Sequence, residues 1–430
     1  MKLFSTFSPA LRSNLGFLFG SGLCFWAGLA GLLPVLPLYI ETLGATGQEI
    51  GFVMASFAIG LLVARPTLSR LADEQGRKLV LLVGLFAIAG APFCYLLVDR
   101  LAPFTWTLGT VQLDGRLALM GLFRAFHGIS IAAYVTAYSA LIVDIAPPAH
   151  RGELIGYMSL VNPLGLALGP ALGSYLLDWV GFTVAFAVMG SLGVLGLLLS
   201  GFIRETYEPD LAALKKQPPQ LFWQLLLTPR IRIPAIILFL VGLAFGTIST
   251  FTPLYVREVG LELSFVGFIY TASAIASFGI RLLSGRASDR YGRGRFISLS
   301  LLLYSLAMII LWSASSAPIF LLGGLVQGTA AGMLIPMIAA LMADRSAATE
   351  RGRIFGLCMV GFDLGIALAG PVLGTLADTI GYRGVFGLSA LMTALGFVIF
   401  VTSSSKDMRH SLRFALSQGR DVYAVDPRFD

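Results

Sequence analysis

The chain has 430 residues, of which 57% are hydrophobic and only 12% charged, and its mean hydropathy is +0.84. Soluble domains carry roughly 25% charged residues, so this composition excludes a water-facing globular protein and makes lipid the solvent for most of the surface. The formal net charge of +7 does not point to nucleic acid, because Lys and Arg sit in short loops between apolar runs, with neither a basic stripe nor interleaved aromatics.

The first apolar run, about 14 to 40, is longer than a signal-peptide core and has no cleavage site before Pro34 and Pro37, which predicts a retained first span. Further runs follow near 49 to 68, 79 to 98, 117 to 141, 154 to 178, 182 to 203, 233 to 256, 264 to 284, 296 to 314, 317 to 342, 354 to 378 and 384 to 403. Each approaches the roughly 20 residues a helix needs to cross a bilayer. The fold class is therefore all-α integral membrane, with twelve transmembrane helices. Cys24, Cys94 and Cys358 lie inside these runs without metal spacing and read as free packing residues.

Loops on one side hold Arg12, Arg70, Arg77, Lys78, Arg204, Arg293, Arg351 and other basic residues, whereas the opposite loops hold Arg100, Arg116, Arg257 and Arg383. That asymmetry places both termini in the cytoplasm of a multi-pass cell-membrane protein. The charged stretch with Pro218 and Pro219 is the one long interior loop. It divides the chain into a bundle at 1–203, a linker at 204–232, a second bundle at 233–403 and a polar tail at 404–430. The tail is expected to be mobile, with a short helix around Leu412 to Leu416.

The two bundles are copies. Pro37, Leu38 and Tyr39 recur as Pro253, Leu254 and Tyr255, and Arg65, Asp73, Gly76 and Arg77 recur as Arg281, Asp289, Gly292 and Arg293, all 216 residues on. Later the shift is 200: His127 and Gly128 fall on Gln327 and Gly328, Asp144 on Asp344, Gly156 on Gly356. Six-span repeats in parallel imply a pseudo-twofold axis along the membrane normal, a cavity near the midplane and alternating access by rocking.

The loop Ser69 to Lys78 resembles the G-x-x-x-D-R-x-G-R-K pattern of the major facilitator superfamily, departing at Ser69 and Glu74, and Gly285 to Arg293 fits it better. The resemblance covers the chain from first span to last and implies the major facilitator fold, with a state-dependent latch in these loops. The latch would use Asp73, Gly76, Arg77, Asp289, Gly292 and Arg293, with Asp144 and Asp344 as partners for the two arginines. Glycine serves the tight turn, and the charges pair with each other or with helix ends; the alternative is a solvated loop that only sets topology. Arg124 to Gly128 resembles the family's intramembrane Arg followed by Gln-Gly, with His127 at the Gln position. A buried Arg costs about 3 kcal/mol or more in lipid, so Arg124 needs a polar surrounding; coupling, substrate orientation and a structural ion pair all remain open for it. Gly165, Gly169, Pro170 and Gly173 are similar to the G-x-x-x-G-P-x-x-G-G signature of the twelve-span drug/proton antiporter branch, with Ser174 in place of the last Gly. Glycines four apart let a neighbouring helix close in, and Ser273 and Ser277 offer a matching small face.

No Walker A loop, metal cluster or nucleophile with a base is recognisable, so neither an enzyme nor a cofactor is expected. Transport is then secondary, coupled to a gradient, with a small-molecule substrate, protons and the lipid bilayer as partners and a monomer as the assembly. Asp363 is the acidic residue at mid-membrane depth and the first candidate proton carrier, unless it only pairs with an Arg or caps a broken helix. Asn162, Gln327 and Tyr134 are candidate cavity groups. The leading reading is proton-coupled efflux of a small amphipathic compound; uptake symport or facilitated diffusion and, in another class, a non-transporting receptor on the same fold are the alternatives.

Overall fold

Stretches of apolar residues longer than a bilayer is thick become helices, since helix closes every backbone hydrogen bond within the segment. In the computed structural model, which describes residues 7–108, 111–147, 150–205, 226–346, 351–419 and 421–425, the elements in chain order are α1 (Pro9–Thr42), α2 (Gly47–Gln75), α3 (Arg77–Asp99), β1 (Thr105–Leu108), β2 (Val111–Asp114), α4 (Gly115–Ile145), α5 (Arg151–Met158), α6 (Val161–Gly201), α7 (Pro229–Glu258), α8 (Ser264–Tyr291), α9 (Arg293–Trp312), α10 (Ala317–Asp344), α11 (Arg351–Ser403) and α12 (Met408–Ala415). Most of the linker lies outside the described residues.

Ten helical stretches among the described residues are long and apolar enough to cross a membrane. Two of them, 154–201 and 354–403, run about twice the needed length. Each is broken at one glycine in the left-handed region, Gly181 (φ 80°) and Gly381 (φ 73°). A side chain is strained there, so glycine lets the chain reverse without a loop. The two stretches supply two crossings each, and the twelve segments are accounted for. No residue pattern announced β1 and β2, an antiparallel hairpin between α3 and α4 that pairs Thr105 with Asp114.

Contacts divide the chain into two compact units, Met1–Ala45 with Phe52–Pro218, and Thr46–Gly51 with Pro219–Asp430. In the first, α1 packs on α6, and α3 packs on α4 and α6; in the second, α7 packs on α11, and α9 packs on α10 and α11. Single contacts repeat as well. Tyr39 donates to the Tyr95 carbonyl (3.2 Å) and packs on Phe186, while Tyr255 donates to the Ala314 carbonyl (2.7 Å) and packs on Phe386. Val63, Phe86, Leu198, Leu283 and Leu391 are exposed apolar side chains, as a lipid-facing surface requires.

Two expectations change here. The Gly165, Gly169 and Gly173 face is filled by Trp26, Ala27 and Gly31 of α1. Ser273 and Ser277 instead receive Gly328 and Gly332 of α10, because each small face is taken up by a helix of its own unit. The tail, read as mobile, is docked: α12 begins at its Asp407 cap, Ser298 donates to the Ala415 carbonyl (3.1 Å), and Val425 N–H donates to the Asp344 carbonyl (2.9 Å).

Candidate functional site

Asp114 starts α4 by accepting from the amides of Arg116 (2.8 Å) and Leu117 (3.3 Å). Further along, Arg124 and His127 share one helix face because they are three residues apart. Both are buried. At Gly128 a Cβ would overlap the Phe57 carbonyl, so only glycine lets α2 and α4 close until the Phe57 ring lies 4.4 Å from the Arg124 guanidinium. From α3 the Tyr95 hydroxyl comes within 2.9 Å of His127 Nδ1, and Arg124 Nη1 stands 3.1 Å from the same nitrogen.

These contacts select a protonation state. Arginine only donates, so Nδ1 must offer its lone pair, and the imidazole is neutral with its proton on Nε2. Arg124 Nε and His127 Nε2 are then buried donors with no hydrogen-bond partner. An unsatisfied buried donor costs about 1–3 kcal/mol, and this cluster carries two of them. Among the described residues the polar neighbours of Arg124 are His127 and Tyr95, and no carboxylate pairs with it.

The corresponding place in the second unit is neutral and complete. Gln327 accepts from Ser273 (2.7 Å) and donates to Tyr304 (3.0 Å). Ser273 stands 216 residues after Phe57 and Gln327 stands 200 after His127, the two shifts of the repeat. Both units thus place a polar contact between their third and fourth helices, Tyr95 with His127 and Tyr304 with Gln327, and in the first unit the fourth-helix partner is a titratable ring with the Arg124 cation beside it.

Asp363 lies buried in α11 of the second unit. Asn162 is half-buried in the first turn of α6, outside the Arg124 cluster. Tyr134, a candidate cavity group from sequence, is instead a core residue stacked on Phe25 at 4.0 Å with its hydroxyl 3.3 Å from Ser21. Tyr95 and Phe57 were not singled out by sequence, and neither belongs to a motif.

The paired loops are built alike. Gly76 (φ 107°) and Gly292 (φ 88°) make the turns before α3 and α9. Arg77 pairs with Asp73 and, at 3.5 Å, with Asp144; Arg293 pairs with Asp344 at 2.7 Å. The side chain of Asp289 lies outside the described residues. Glu205, which no motif indicated, accepts from the amides of Arg77 and Lys78 at the start of α3.

A family model described as "Major Facilitator Superfamily" matches residues 18–286 and 235–419. The chain is 29% identical over 233 residues to the Staphylococcus aureus quinolone resistance protein NorA, an alignment covering 53% of this chain and 54% of that protein; it thus spans about half the length of that relative. It is 26% identical over 405 residues to the Lactococcus lactis multi-drug resistance efflux pump PmrA homolog, covering 87% and 91%. The crystal structure of a bacterial homolog of the human lysosomal transporter Spinster superposes with a TM-score of 0.73 at 14% identity, over 97% of this chain and 100% of that one.

Proposed function

The chain belongs to the major facilitator superfamily, and we propose that it exports a small amphipathic compound in exchange for protons, with His127 taking the proton and Arg124 responding to it. The observation that carries this reading is the shared His127 Nδ1, which accepts at 3.1 Å from Arg124 and faces the Tyr95 hydroxyl at 2.9 Å. A proton on that lone pair turns the acceptor into a donor and sets two like charges against each other. At about 4 Å and an effective dielectric of 20 the repulsion is about 4 kcal/mol, enough to separate the pair. Loss of the proton restores the contact.

A substrate enters the same cycle through its acceptors. A carbonyl or ether oxygen placed between Arg124 Nε and His127 Nε2 satisfies two donors that otherwise have no partner. Proton and substrate then compete for one cluster, as exchange requires. Asp363, buried in the second unit, is the acidic candidate beside these two basic ones. Asn162 and Gln327 are the remaining polar candidates, the two loops with their Arg–Asp pairs act as the gates, and the basic end faces the cytoplasm of a cell-membrane monomer. A relative named as a multi-drug resistance efflux pump and another named as a quinolone resistance protein support export.

The test is flux from purified protein in liposomes loaded with a fluorescent amphipathic cation, followed at a fixed proton gradient and after an ionophore collapses it. Export that stops with the gradient supports the reading; export at an undiminished rate rejects it. Movement of substrate and protons in the same direction would favour symport instead.

A further inference from the structure

α12 is short, and an eight-residue helix does not hold together alone in water. Here it is held by its own protein. Ser411, Phe414 and Ala415 are buried, the Phe414 carbonyl lies against Gly294, Phe414 meets Phe400 at 6.0 Å, and Ser417 accepts from the Arg295 amide at 3.1 Å. The helix therefore sits at the ends of α9 and α11, where apolar spans give way to polar chain.

Its remaining surface is divided in two. At about 100° per residue, Met408, Leu412 and the capping Leu416 share an arc of about 80°, and Arg409 and Arg413 occupy the next one. Met408, Leu412 and Leu416 are 60%, 37% and 56% exposed. Lys406, Arg409 and Arg413 are exposed and make no ion pair among the described residues. Beside this helix, Arg295 stands at the rim of a groove of about 340 Å³ whose other walls are Tyr291, Phe296 and Leu299. Going round α12, one passes from protein to apolar stripe to cations, the order met on moving from a span into acyl chains and then headgroups.

We infer that α12 is an interfacial foot that binds anionic phospholipid in the adjoining leaflet. Met408, Leu412 and Leu416 enter the acyl boundary, while Lys406, Arg409 and Arg413 hold headgroup phosphates and Arg295 holds one more over the groove. The contact does not depend on the direction or coupling of transport. Because the protein pre-forms the helix, the lipid does not have to order it.

Leu412→Cys carrying a bimane label, with Cys24, Cys94 and Cys358 replaced by alanine, reads the environment in nanodiscs of phosphatidylcholine with and without phosphatidylglycerol. Quenching by nitroxide lipid together with protection from iodide is the expected result. Iodide quenching equal to that of a label at Gln418→Cys overturns the inference, as does shielding from both quenchers, which signals a second protein copy. In unlabelled full-length protein, Arg409→Gln with Arg413→Gln lowers the relative affinity for brominated phosphatidylglycerol about 25-fold, about five-fold per cation near a membrane surface. An unchanged affinity contradicts it.

Discussion

Replacing Asp421 by alanine tests whether the tail is a structural part of the second unit. Arg345 caps the end of α10 and is fully buried. Its Nε and Nη2 donate to the two Asp421 oxygens (2.7 and 3.0 Å), its Nη1 to the Arg230 carbonyl (2.9 Å) and its Nη2 also to the Ser404 carbonyl (3.0 Å). Phe414 and Tyr423 flank the guanidinium at 5.7 and 5.1 Å. Removing the carboxylate leaves a buried cation with two backbone carbonyls. Breaking one side of such a pair costs about 3–5 kcal/mol; because Asp421 keeps 11% of its side chain exposed, we expect the lower end, about 3 kcal/mol. For a unit of this size that is a fall of roughly 6–12 °C in Tm. Differential scanning fluorimetry in detergent reads it. Arg345→Met with Asp421→Val removes both charges and should recover most of the loss, as apolar replacements of buried pairs do. If Asp421→Ala melts within a degree of the wild type, the pair does not hold the tail, and the docking inferred from it is wrong.

Double-mutant cycles on Arg293→Gln with Asp344→Asn should give a coupling of about 1–3 kcal/mol in thermal unfolding, and a smaller one for Arg77→Gln with Asp144→Asn, whose closest atoms are 3.5 Å rather than 2.7 Å apart; equal or reversed couplings contradict the geometry. Gly128→Val and Gly328→Val each force a side chain into the backbone of a facing helix and should cost about 1–3 kcal/mol, whereas Gly156→Ala, with nothing within 4 Å of its Cβ, should be neutral in the same melt. Asp407 is held below its ordinary carboxylate range by the His410 amide and then by the His410 ring. A depressed folded pKa means the capped form is stabilised above the unfolded value, near 3.9, and loses that stabilisation as pH falls through the lower folded value. Hydrogen exchange over 408–416 should therefore quicken below about pH 4, and Asp407→Ala should abolish that step; a step that persists assigns it to another group.

The crossings were legible because hydrocarbon leaves helix as the solution for each apolar run, and repetition of the Pro37 and Tyr39 segment at Pro253 and Tyr255 carried the architecture. Two features escaped. The breaks between 178 and 182 and between 378 and 384 were legible, but that each reversal is made at a single glycine, Gly181 or Gly381, shows only in the φ values. Arg345 reads as one more charge in a basic loop, yet it is the most voluminous fully buried side chain described, because its partner Asp421 lies 76 residues away in a segment without apolar periodicity. At the candidate site the sequence offered Arg124 and His127, since ionisable groups in a span demand an explanation. It did not offer Tyr95 or Phe57. An aromatic residue in an apolar span carries no such demand, and their roles depend on how closely Gly128 lets α2 approach.

His127→Gln addresses the central claim most directly, because glutamine at that place can accept from Arg124 and donate to Tyr95, as Gln327 does between Ser273 and Tyr304, while no longer binding a proton at physiological pH. In liposomes holding a pH-sensitive dye, addition of a transported compound should move protons through the wild type but not through His127→Gln, which should still exchange labelled for unlabelled compound. Asp363→Asn run alongside shows whether the second unit also holds a proton. Proton movement through His127→Gln equal to the wild type would contradict the account.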